Sequence, residues 1–158
     1  MEADVAIDIG IETKARKKIA GALGQVLGDT YGLYLKTHGY HWNVEGPMFN
    51  TLHLMFETQY NDLWLSMDLI AERIRSLGEY APVGEQIGAK SQLPPDKGVP
   101  DAKTMISNLV DGNELLARSA RAALKAAEEA GDQASADLMT QRVAVAEKTA
   151  WMLRAMAK

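Results

Sequence analysis

No cysteine occurs among the 158 residues, which excludes disulfides, thiolate metal sites and cysteine nucleophiles. Any metal held here must be held by oxygen and nitrogen. No apolar run approaches the roughly 18 residues of a membrane span, so none is expected. The opening MEADVAIDIG lacks the basic region and long apolar core of a secretion signal, which leaves the cytoplasm as the expected compartment. Positive charge is not in surplus either. A formal net charge of -4 argues against a dedicated nucleic-acid binder, since such domains carry a basic surface that displaces phosphate counterions. There is no internal repeat, no low-complexity segment and no strand pattern to compete with helices. What remains, 47% hydrophobic and 24% charged residues, is ordinary for a soluble globular chain. At this length residues 1–158 are read as one domain, with 1–10 as a flexible tail.

Helical periodicity accounts for most of the chain. A basic cluster, Lys14, Arg16, Lys17 and Lys18, reads as a solvated first turn. Behind it Ile19, Leu23, Val26, Leu27 and Tyr34 form the buried side of a long helix that reaches His38 or beyond. A tight connection through Gly46 and Pro47 leads to a second helix, whose stripe is Phe56, Tyr60, Leu63, Met67, Ile70, Ile74 and Leu77. From Glu79 to Asp101 the chain is rich in glycine and proline and holds at most one short helix. A loop of roughly twenty residues spans the roughly 45 Å of the helix before it, so the second and third long helices can run parallel. Asp101 is the expected N-cap of the third, with Met105, Leu109, Leu116, Ala120, Ala123 and Ala127 as its stripe. Gly131 and Asp132 then close one helix and cap the next. The fourth helix carries one stripe of Met139, Val143, Ala146, Ala150 and Leu153, and another of Leu138, Val145 and Met152. The fold class is therefore all-α: a ferritin-type four-helix bundle with one long crossover between helices two and three. Surplus apolar surface on helices two and four points to an oligomer.

The second helix carries the chemistry. At 100° per residue His53, Glu57, Asp68 and Glu72 share an arc of roughly 100°, apart from the core stripe. Leu54, Trp64, Leu65 and Leu69 lie on the same side, so this second apolar face is studded with one histidine and three carboxylates. Charges in such company are costly to bury unless paired or metal-bound. His53 and Asp68 are about 22 Å apart along the axis, far beyond the reach of one metal ion. Two antiparallel copies of the helix about a two-fold axis would set the His53 and Glu57 end of one against the Asp68 and Glu72 end of the other, giving two equal sites. His41, beside the short turn, is placed to join the His53 half. Imidazole with carboxylates suits iron in both oxidation states, and the residue types also admit zinc. Glu-x-x-His does not occur, which argues against the usual di-iron centre inside one bundle. The plainer readings make His38 a surface or satisfied histidine. They likewise make Asp68 with Arg73, or Glu72 with Arg75, surface ion pairs of about 0 to 1 kcal/mol.

From His41 to Glu57 the pattern H-W-x-V-x-G, five residues, L-H, three residues, E, followed by D-L-I-A-E-R from Asp68 to Arg73, resembles the signature of the Dps family of mini-ferritins. The closing AEKTAWMLR run and the helix order are similar too. The resemblance implies a hollow dodecamer of four-helix bundles with ferroxidase centres at two-fold dimer interfaces. Ferrous iron would be oxidised there, typically by hydrogen peroxide, and stored as a ferric mineral. It implies His41 and His53 as ligands from one subunit and Asp68 and Glu72 from the other. Glu57 stands at the position of an additional acidic ligand, and Trp42 at that of the aromatic beside the site. Asp132 and Asp137 resemble acidic residues lining an iron entry pore. Two departures follow. The tail begins with Glu2, Asp4 and Asp8 instead of lysines, so weak DNA binding is expected. Ala146 stands where many relatives carry histidine. The competing reading is a DNA-condensing stress protein with a secondary or structural metal site.

Overall fold

Residues 6–158 are described by the structure, a computed structural model. Among these residues five helices follow one another: α1 (Thr13–Asn43), α2 (Phe49–Ser76), a short α3 (Glu85–Lys90), α4 (Ala102–Glu129) and α5 (Gln133–Met156). No strand occurs among the described residues. The expectation of a flexible tail over residues 1–10 falls partly outside these limits, at residues 1–5. Over 6–10 the chain is irregular, and Ile7 lies against Gly78 at the end of α2, where a Cβ would stand 2.3 Å from its Cδ1.

The termini of the helices follow from local chemistry. Gly46, at φ +109°, takes a conformation that an L side chain resists, and so turns α1 into α2 within five residues. Asp101 caps α4 by accepting from the backbone N–H of Thr104 at 2.8 Å. Gly131, at φ +70°, ends α4, and Asp132 then caps α5 by accepting from the N–H of Ser135 at 3.1 Å.

Pairings between side chains give the topology. Lys18 meets Glu129, Asp29 meets Ser119, and Tyr40 meets Asn108, so α4 runs antiparallel to α1. His41 beside His53 and Arg16 beside Leu77 make α2 antiparallel to α1 as well. The long helices α2 and α4 are therefore parallel, as the crossover length permits. Their inward stripes meet in one core, with Ile19, Leu23, Phe56, Ile70, Ile74, Leu109, Leu116 and Met139 fully or almost fully buried. Helices α2 and α5 touch at only a few points. They leave a groove of about 810 Å³ lined by Leu54, Met55, Val145, Trp151 and Met152, away from Asp68 and Glu72.

The crossover is seated on α1 instead of looping free. Cβ atoms at Gly28 and Gly32, one helical turn apart, would stand 2.5 Å from Lys90 Cβ and 2.1 Å from Ser91 Oγ, so glycine is what lets the crossover lie this close. Between them Asp29, wholly buried, accepts from the Gln92 backbone N–H at 2.7 Å, the Gln92 carboxamide at 3.0 Å, the Gln25 carboxamide at 3.1 Å and the Ser119 hydroxyl. Further along, the Tyr40 phenol donates to Asp96 at 2.7 Å, and Lys36 pairs with the same carboxylate at 3.2 Å. One buried carboxylate thus joins α1, the crossover and α4.

The structure refines two readings of the charged residues. The basic cluster is solvated at Lys14, Lys17 and Lys18, the last in an exposed ion pair with Glu129, whereas Arg16 is half-buried and donates to the carbonyls of Leu77 and Ile11. The local ion pairs that the plainer reading allowed on α2 do not form. Arg73 turns instead to Asp132, 2.9 Å away, and to the Ser135 hydroxyl at 2.8 Å, tying α2 to the start of α5. Arg75 lies over the ring of Tyr80 at 4.5 Å and donates to the carbonyl of Glu79. Each finds a partner beyond its own helix, one of them where a buried carboxylate required a cation.

Candidate functional site

At the tight turn between α1 and α2 the two histidines face each other. The rings of His41 and His53 stack with centroids 3.8 Å apart and planes 14° from parallel. Nδ1 of His41 is 2.7 Å from the carbonyl oxygen of His53, and Nδ1 of His53 is 2.7 Å from the carbonyl oxygen of His41. A carbonyl only accepts, so both Nδ1 atoms carry the proton in this reciprocal pair. In the neutral imidazole Nε2 is then the nitrogen with the lone pair, the tautomer that a metal ligand needs. Phe49, stacked on His53 at 5.0 Å, holds the second ring from its other side. His41 is itself buried, so its orientation is set before any ion arrives.

One turn further along α2, Glu57 is half-buried on the same side as His53. Asp68 and Glu72 are exposed near the far end of the helix, and neither carboxylate enters a hydrogen bond or ion pair among the described residues. Around them Leu54, Trp64, Leu65 and Leu69 are exposed by 51, 56, 69 and 54%. Four large apolar side chains in a row on one helix face are more than a monomeric surface usually carries. Among the described residues no group of three or more histidine and acidic side chains is close enough to hold a metal ion. The structure brings His41 and His53 together, keeps Glu57 near them, and leaves Asp68 about 22 Å and Glu72 about 28 Å down the helix axis from His53.

Trp42, exposed, packs over His38 with centroids 4.2 Å apart. His38 is satisfied, as its plainer reading had it, but it also belongs to a larger assembly. Its Nδ1 is 2.9 Å from the hydroxyl of Tyr34, its ring stacks on Tyr60 at 3.9 Å, and His41 stands 6.0 Å away. Burial, with the neighbouring His41 adding to it, pushes His38 below the ordinary histidine range. Tyr34 also meets Trp64 at 5.4 Å, and Tyr60 meets His41 at 5.1 Å. Sequence reasoning missed this array, although Tyr34, His38, His41 and Trp42 stand at helical spacing on α1, as do Tyr60 and Trp64 on α2.

The two aspartates singled out for a pore have different surroundings. Asp132 is buried at the start of α5, where it caps the helix and pairs with Arg73. Burial pushes its carboxyl up, but the hydrogen bonds from Ser135 and the Arg73 guanidinium outweigh that and hold it below the usual carboxylate range. Asp137 is exposed and accepts from Gln133 at 2.7 Å.

Comparison with known proteins bears on this arrangement. The ferritin-like domain family matches residues 20–158. An uncharacterized low temperature-induced protein of Nostoc sp. is 40% identical over 152 residues, covering 94% of this chain and 84% of its own length. A DNA protection during starvation protein of Brevibacillus brevis is 33% identical, covering 92% of this chain and 98% of its own. Among solved structures, the Dps protein of Vibrio cholerae O1, described as a ferritin-like diiron-carboxylate protein, superposes with a TM-score of 0.92 at 34% identity over 100% of both chains.

Proposed function

Because the chain belongs to the Dps family of ferritin-like proteins, we propose that it oxidises ferrous iron at sites shared between two copies and stores the ferric product. The carrying observation is the locked histidine pair. Two imidazoles with Nε2 available lie at one end of an α2 face whose other end bears Asp68 and Glu72, within an apolar border that a second copy would cover. Antiparallel pairing about a two-fold axis unites the two halves twice over. His41 and His53 then serve as ligands from one subunit, Asp68 and Glu72 from the other, with Glu57 as a further oxygen donor and Trp42 beside them.

The donor set fits the substrate. Carboxylates hold ferric ion, which an all-nitrogen set would favour less, while two imidazoles retain the ferrous ion long enough to react. The same donors admit zinc as a competitor. Two ferrous ions at one site deliver the two electrons that hydrogen peroxide takes on becoming water, so no hydroxyl radical is set free. The chain's own contribution is to fix ligand orientation through the Nδ1–carbonyl pairs. Closure of such dimers into a hollow dodecamer supplies the store, in keeping with the surplus apolar faces, and the cytoplasm is the proposed compartment. Among the described residues no helix is long and apolar enough to cross a membrane.

DNA condensation is the weaker reading for this chain, whatever its relatives' names record. Of the basic cluster, Arg16 and Lys18 are already engaged, and the chain carries net negative charge.

Ferrous iron is loaded anaerobically, peroxide is added, and ferric absorbance and spin-trapped hydroxyl radical are followed together. The expected result is rapid ferric absorbance with little trapped radical. Slow oxidation with radical yields equal to those of free iron would overturn the proposal.

A further inference from the structure

The groove between α2 and α5 is bordered at one end by methionine. Of the eight methionines in the chain, Met55, Met152 and Met156 line it. A methionine that merely fills an irregular gap is buried in it, as Met105 and Met139 are, at 1% and 0% exposed. These three line an open groove instead, Met152 with 41% of its surface exposed. Their levels along the two helices agree. Helices α2 and α5 run antiparallel, with Arg142 on Asp62 at 2.6 Å and, further down, Arg73 on Asp132. Counted from the first of these pairs, Met55 lies about 10 Å along α2, while Met152 and Met156, one turn apart, lie about 15 and 21 Å along α5. Side chains on a helix lean toward its N-terminus. Across an antiparallel pair Met55 therefore leans toward Met152 and Met156, and they lean back toward it.

The donors at that end are soft. Thioether sulfur is a neutral, polarizable ligand that selects cuprous ion over the harder ferrous and zinc ions. Among the described residues Asp62 is the one carboxylate that borders the groove, and Arg142 already holds it; no histidine borders it. Trp151 borders the same end, and an indole face attracts a cation placed beside it. From this convergence we infer that Met55, Met152 and Met156 form a three-thioether site for a single cuprous ion, separate from the histidine and carboxylate face proposed for iron. Binding moves no electron: the ion exchanges its solution ligands for three sulfur lone pairs. With no cysteine in the chain, no thiolate competes for it. The site gives the chain a second reactive metal to withhold, since a free cuprous ion, like a ferrous one, passes an electron to hydrogen peroxide and leaves hydroxide and hydroxyl radical.

The full protein, freed of iron, is titrated anaerobically with cuprous ion against bicinchoninate, and the loaded protein is studied by copper X-ray absorption. The expected result is a single cuprous ion per chain held in competition with the chelator, with sulfur neighbours at about 2.3 Å, as in other metal–sulfur bonds. Because the chain has no cysteine, a sulfur shell identifies thioether ligands without any mutation. Met55→Leu, Met152→Leu and Met156→Leu, which keep the apolar volume, each weaken binding by about tenfold or more. The triple variant loses the sulfur shell while its helical signal stays parental. Should the triple variant unfold, Met152→Leu alone decides, because that side chain is partly exposed and unchanged affinity there overturns the inference. Copper surrounded by nitrogen and oxygen alone also overturns it, as does a sulfur shell that persists in the folded triple variant, or binding too weak to compete with the chelator. None of these outcomes depends on the ferroxidase reading.

Discussion

Replacing Asp68 and Glu72 together by alanine lowers the rate of iron oxidation by more than about 100-fold, because loss of groups that merely orient a metal's ligands already costs about 10–100-fold. Two of the five proposed donors disappear from both sites of the dimer at once. The fold is unaffected. Both side chains are exposed and neither enters a hydrogen bond or ion pair among the described residues, so unfolding free energy changes by about 0.5 kcal/mol or less. Stopped-flow ferric absorbance and urea unfolding, run on the same preparation, separate the two effects. Parental oxidation in the variant would remove these carboxylates from the site, and a loss of helical signal would make the face structural.

Asp29→Ala has the opposite profile. Its carboxylate is wholly buried and draws hydrogen bonds from Gln92, Gln25 and Ser119, so it fixes the crossover against α1 and α4 at once. Hydrogen bonds to a charged group contribute about 1.5–3 kcal/mol each, part of which returns as Gln92 turns to water. A net loss of about 3 kcal/mol is expected, measured as a shift in the urea midpoint at unchanged slope. Asp29→Asn should recover part of it, since a carboxamide has one accepting oxygen instead of two. A loss below about 0.5 kcal/mol, the range of an ordinary surface substitution, would mean that the crossover is held by the close contacts at Gly28 and Gly32 alone.

These two residues also show what the sequence made legible. Core stripes, the caps Asp101 and Asp132, and the glycine stop at Gly131 were readable because each depends on neighbours within a turn or two. Asp29 was not, since a carboxylate in mid-helix looks solvated until a crossover more than sixty residues away covers it. Gly28 and Gly32 likewise signal only weakened helix propensity until Lys90 and Ser91 are set against them. A local pair with Asp68 was the plainer alternative for Arg73 while α2 alone was in view, whereas its partner, Asp132, begins another helix. At the candidate site, spacing along α2 was enough to separate the histidine end from the carboxylate end. The stacked, mutually hydrogen-bonded His41 and His53 required the turn to fold back upon itself, and the Tyr34–His38 pair required α2 laid alongside α1.

The central claim is that each site takes its histidines from one chain and its distal carboxylates from another. Subunit mixing addresses it directly. One chain carries His41→Ala and His53→Ala, the other Asp68→Ala and Glu72→Ala, and each is expected to be inactive alone. Refolded together in equal amounts, half of the dimers are mixed, and each mixed dimer has one complete and one empty site. Iron oxidation should therefore return to about one quarter of the parental rate per subunit. No recovery in a mixture shown to contain mixed dimers would contradict a site shared between two chains.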